Sequence, residues 1–157
     1  MSKQLETAEM QYDKDFFRWT QETAELIRRR RFDEIDLEHV AEEIEDMGKR
    51  DRREVQSRLT AIVRYLLSWQ IRPELREASG WLVTINHHRG EVELILEDSP
   101  SLCNIRALLP VVYQVACELA AIETELSIDR LPSACPDTPE QIMDHGYFPE
   151  GPLALRS

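Results

Sequence analysis

Apolar side chains recur along this chain at intervals of three and four residues, the spacing that keeps them on one face of an α-helix. Asp13 is placed to cap a first helix running to about Arg31, with Phe16, Trp19, Thr23, Leu26 and Ile27 near one face. Four consecutive arginines at its end, Arg28 to Arg31, complement the helix dipole there. Asp36 opens a short second helix with Leu37, Val40, Ile44 and Met47 at 3-4-3 spacing, and Gly48 is positioned to stop it. That stripe is expected to face the core. The strongest helical signal is Val55, Leu59, Ile62, Val63, Leu66 and Leu67, which predicts a long helix from about Asp51 to Ile71. Pro73 ends it, because a residue before proline resists the α conformation.

Ser79 opens the next predicted helix, which carries Trp81, Ile85, His88, Val92, Ile95 and Leu96. Gly90 lies inside it, where a close helix approach would compensate its poor propensity. Ser99-Pro100 reads as a cap followed by proline at the first helical position. The fifth helix then runs to about Thr124, and Pro110 is expected to kink it or split it in two. After Glu125 five prolines punctuate an irregular segment. Within it Thr138-Pro139-Glu140-Gln141 fits a capping box and predicts a short helix through Ile142 and Met143. Strand alternation and internal repeats are lacking. The expected fold is all-α: a bundle of about five helices with an irregular Pro-rich C-terminal segment and one short extra helix. Residues 12–149 are read as a single helical-bundle domain, with 1–11 and 150–157 as flexible termini.

The 157 residues suffice for a real core without staples. Thirty acidic against nineteen basic residues leave a net charge of −11, which argues against a general nucleic-acid binder. The charge is blocked. Asp33 to Asp46 holds eight carboxylates and no Lys or Arg, bracketed by Arg28–Arg31 and by Lys49–Arg53. The simplest expectation is that these blocks pair with each other; otherwise the acidic stretch offers a face to a basic partner. The candidate face is Glu34, Glu38, Glu42, Glu45 and Asp46. Cys103, Cys117 and Cys135 are odd in number and lack C-x-x-C spacing, which with no signal peptide predicts free thiols and a cytoplasmic location. The longest apolar run, Ala107 to Tyr113, is too short to span a membrane, so no membrane association is expected.

An ordered series of residues then resembles a known family. It begins at Tyr12-Asp13, Asp15-Phe16 and Trp19, and continues through Arg31-Phe32, Asp36, Glu42-Glu43-Ile44 and Met47-Gly48. Ser57-Arg58-Leu59, Leu66-Leu67, Trp69-Gln70, Pro73, Trp81, Thr84-Ile85 and Arg89 follow. Ser99-Pro100-Ser101-Leu102, Tyr113, Glu123-Thr124, Cys135-Pro136 and Phe148-Pro149 close it. Over about residues 12–149 the chain resembles the DUF29 family of bacterial proteins. The resemblance implies an all-helical fold and supplies no activity, substrate or cofactor. This chain departs from the family pattern at Tyr65, where the family tends to have histidine, and at Ser68, Arg72, Gly80 and His88. Any family chemistry based on that histidine would be lost here.

Nucleotide-binding and hydrolase motifs are absent, and glycine is too scarce for a phosphate loop. His39 and Glu43 lie four apart on one helical face, and with His88 and Glu123 from other helices they make the one metal alternative. The paired Glu-x-x-His motifs of diiron bundles are missing, so no metal and no cofactor is expected. Glu43, Arg58, Arg89 and Glu123 form a polar set on helices near apolar neighbours. They read first as an inter-helix charge network and second as a ligand pocket. The function read from the sequence is a non-enzymatic cytoplasmic helical domain that acts by binding a protein, either an unidentified partner or itself. Two alternatives stand beside it. One is a metal-dependent bundle enzyme. The other is a small regulator whose basic surface (Arg28–Arg31, Lys49–Arg53, Arg64, Arg72, with Tyr65 and Trp69) touches nucleic acid.

Overall fold

A computed structural model describes residues 12–157. Every regular element in it is helical: α1 (Phe16–Arg28), α2 (Leu37–Ile71), α3 (Trp81–Asp98), α4 (Ile105–Thr124) and α5 (Pro139–Met143), joined by short 3₁₀ turns. No strand occurs among the described residues. The chain divides into two compact units, one ending at Lys49 and one running from Arg50 to Ser157.

In the N-terminal unit the cap of α1 is Asp15 rather than Asp13: its side chain accepts the Arg18 N–H at 3.0 Å. The helix stops at Arg28, and Arg30 takes a left-handed backbone, with the Arg31 N–H returning to the Leu26 carbonyl at 3.0 Å. Such a return satisfies carbonyls that the helix end would leave bare. Trp19 and Ile35 are the buried apolar residues described here, and Tyr12 meets the Trp19 ring edge-on at 4.9 Å.

The largest departure from expectation is at Gly48. It does not end a helix, because α2 runs unbroken for 35 residues from Leu37 to Ile71. A C-terminal glycine stop needs a left-handed backbone, and Gly80 is the one described glycine with positive φ. A glycine inside a helix costs about 1 kcal/mol relative to alanine, which a long helix of good helix formers absorbs.

In the C-terminal unit, Val55, Leu59, Ile62, Val63, Leu66 and Leu67 of α2 are fully buried, as their spacing predicts. They join one core with Trp81, Ile85 and Val92 of α3, and with Ile105, Val112, Tyr113, Ala116, Cys117 and Ala120 of α4. α3 begins after Gly80 (φ 70), and Ser79 contributes by accepting the Trp81 N–H at 3.3 Å. Nothing lies within 4 Å of where a Cβ would stand on Gly90, so no close helix approach explains that glycine. Ser99-Pro100 opens a 3₁₀ turn instead of α4, whose cap is Asn104. Pro110 sits inside α4 without splitting it. The bond it forfeits would have gone to the carbonyl of Arg106, an exposed first-turn residue that water can serve.

The length of α4 also corrects the membrane reading. Its 20 residues are long and apolar enough, by length and composition alone, to cross a bilayer. Here 39% of that stretch is buried, its inner face in the core with α2 and α3, and Val111, Val115 and Ile122 on its outer face are exposed. The proline-rich segment packs onto that core. Leu131 and Ile142 are buried, and α5 has the predicted capping box from Thr138 and Gln141. Past residue 149, Leu153 is buried and the Arg156 N–H donates to the Arg130 carbonyl at 2.7 Å, where a flexible terminus was expected.

Candidate functional site

The four residues of the polar set acquire four different sets of partners. In the N-terminal unit, Glu43 accepts the Tyr12 phenol. That bond raises the phenol's pKa to about 12, helped by partial desolvation and the charge of Glu43. Arg58 pairs with Glu54 at 2.7 Å and Glu91 at 3.7 Å, and touches the His88 ring at 3.3 Å. Burial, and then the Arg58 charge, push the His88 pKa below its usual value, so this imidazole favours the neutral form. Glu123 receives Arg64 at 3.2 Å and the hydroxyl of fully buried Ser68 at 2.9 Å.

Among the described residues, Arg89 has no carboxylate partner. It is fully buried, and its fork donates to the carbonyls of Ile142 (2.8 Å), Gln141 (3.3 Å) and Tyr147 (3.0 Å) and to the Asn86 side chain (3.0 Å). The expected charge network is therefore replaced by separate fixtures. Arg89 clamps the end of α5 and the turn that follows it onto α3, because the carbonyls of Gln141 and Ile142 in α5 and of Tyr147 beyond it all meet one planar donor fork. Nearby, Tyr147 donates to buried Asp137 at 2.8 Å, and burial pushes that carboxyl's pKa up. Asp137 carried no signal in the sequence. Its role depends on a tyrosine ten residues away that nothing local announces.

The metal candidates disperse in the same way. His39 meets Asp36 through Nδ1 at 2.6 Å. Burial pushes the Asp36 pKa up, but hydrogen bonds from the His39 side chain and backbone outweigh it, and the net shift is downward. Among the described residues, no three His, Cys, Asp or Glu side chains converge as a metal site. Of the aromatics offered for base stacking, Trp69 donates its indole N–H to Pro149 at 3.1 Å and packs against Phe148. Arg72 is held by Glu74, and Arg64 by Glu123.

The acidic stretch supplies the most open feature. Leu37, Ile44 and Met47, expected to face the core, are 59%, 64% and 63% exposed. With half-buried Val40 they complete the 3-4-3 helical stripe, of which these three members face water. Arg31 closes a two-pronged pair on Glu34, and Lys49 bridges Glu45 and Asp46. One residue of each basic block thus reaches an end of the stretch, while Arg28 and Arg29 pair with Glu25 instead. Glu38 and Glu42, on the first turns of α2, make no ion pair among the described residues. An apolar stripe of three large side chains beside unneutralised carboxylates is chemically suited to a partner that is apolar in the middle and basic at the edge.

A second surface was missed in the sequence. In the C-terminal unit a groove of about 450 Å³ lies between α2 and α4. Arg53, Gln56, Ser57, Thr60 and Arg64 form one wall, and Val115 and Leu119 part of the other. The apolar wall continues along α4 through exposed Val111 and Ile122. The available signal was the apolar density of α4, which exceeds what one buried face requires.

No curated protein and no solved structure matches the chain. The family model for the domain of unknown function DUF29 matches residues 11–148, nearly the whole length. With an all-helical fold and that match, the chain belongs to the DUF29 family.

Proposed function

We propose that this chain is a protein-binding module whose docking surface is the Leu37–Met47 face of α2. The observation that carries the reading is the exposure of Leu37, Ile44 and Met47 on one helical stripe, flanked by Glu38 and Glu42. Three large apolar side chains left in water weaken the hydrophobic return on folding, and a partner that covers them recovers it. The carboxylates then select the partner's charge and speed its approach. The dispersal of the polar set into separate structural fixtures favours binding over catalysis, since those groups hold helices and turns together rather than converge on a cavity. The three free thiols, Cys103, Cys117 and Cys135, support action in a reducing cytoplasm.

The test is capture from an extract of the native host, followed by Ile44→Asp/Met47→Asp. Both side chains are exposed, so this variant should melt within a few degrees of the parent while losing the captured protein. Retention of every captured protein by a folded double variant sinks the reading.

A further inference from the structure

We propose that the groove between α2 and α4 is the docking site for the Leu37–Met47 face of a second copy of this chain. The inference rests on the reading of that face as a binding surface and names its partner. Three properties match. The first is length. Leu37 to Met47 spans about 15 Å of helix, and the apolar wall from Val111 to Ile122 spans about 16 Å. The second is character. Val111, Val115 and Ile122 are exposed and Leu119 partly so, giving an apolar ridge at helical spacing for the incoming stripe to pack against.

The third is charge. Arg53 lines the groove and Arg50 lies one turn before it, and neither makes an ion pair among the described residues. The carboxylates nearest them in sequence are turned to other partners, Asp51 to Ser99 at 3.4 Å and Glu54 to Arg58 at 2.7 Å. The rim therefore offers guanidiniums, whose planar forks suit carboxylates. The incoming face offers Glu38 and Glu42. Two acidic faces meeting each other would set carboxylate against carboxylate, so the match is between unlike surfaces. Made reciprocally such a contact closes into a two-fold dimer; otherwise it is heterologous and closes into a ring or extends head to tail.

Light scattering and sedimentation from micromolar to submillimolar concentration provide the test. The wild-type chain should associate, and salt should weaken the association. Arg50→Glu/Arg53→Glu and Glu38→Lys/Glu42→Lys should each weaken it by roughly tenfold or more. All four side chains are exposed, so both variants should keep the parental melting temperature. An equimolar mixture of the two variants should associate again, because a reversed groove then meets a reversed face. A wild-type chain that stays monomeric throughout, or association indifferent to either reversal, overturns the proposal. A monomer that still loses a captured host protein on Ile44→Asp/Met47→Asp leaves the broader binding reading standing, whereas association without that loss removes only the reading of a host partner.

Discussion

Removing the Arg89 fork should unfasten α5 and the turn that follows it. The informative variant is Arg89→Met, which fills much of the same volume and donates nothing. Two effects oppose each other. Burial of the guanidinium is costly, as its lowered pKa records, and methionine relieves that cost. Against this, the carbonyls of Ile142 and Tyr147 lose donors at 2.8 and 3.0 Å, and that of Gln141 loses a longer one at 3.3 Å. An unsatisfied buried acceptor costs about 1–3 kcal/mol; the Gln141 carbonyl keeps the Asp144 N–H at 3.3 Å, so the Ile142 and Tyr147 carbonyls carry the loss, about 1–3 kcal/mol net of the relief. For a chain of this size that corresponds to a fall in Tm of roughly 2–12 °C. Arg89→Lys should recover only part of it, since an ammonium cannot reproduce a planar fork spread over acceptors on both sides. Urea unfolding gives the global loss. Limited proteolysis gives the local one, with new cleavage between residues 141 and 148 appearing before the core is attacked. An Arg89→Met protein as stable as the parent, with unchanged cleavage, would refute the clamp.

The remaining expectations are smaller and independent. Gly48→Ala and Gly90→Ala should each raise stability by about 0.5–1 kcal/mol, because both sit within helices with open space at the Cβ position; a loss in either, by urea unfolding, would contradict the geometry. Gly80→Ala should cost about 1 kcal/mol through its left-handed backbone although no atom obstructs the new methyl, and an unchanged Tm would count against that strain. His88 has a folded pKa below the unfolded value, so its contribution is present above about pH 6.5 and is lost as pH falls through the folded pKa. Wild-type stability should therefore drop more steeply than that of His88→Gln on acidification from neutral, and parallel pH curves would refute the assignment. Tyr12→Phe should cost about 1 kcal/mol or less, since the Glu43 carboxylate it releases is only half-buried, and a larger loss would mean that the pair holds the N-terminal unit together.

Helix placement in this chain was legible because it is local. A 3-4 apolar spacing and a proline after Arg72 act through the backbone of their own segment, and the α2, α3 and α4 core stripes lie where the pattern put them. Gly48 and Ser99-Pro100 misled because a stop or cap signal is a small energy that neighbouring helix formers and turns override. The sequence also named Arg89 and Glu123 as polar residues among apolar neighbours, but not their partners. Those partners are carbonyls 52 to 58 residues away and an arginine 59 residues away, brought in by packing. The same limit applies to the acidic helix. Its periodicity determines that Leu37, Ile44 and Met47 share a face, but not what covers that face. Periodicity is a property of one backbone, whereas burial is a property of which other surfaces reach it, and only the tertiary structure left this one in water.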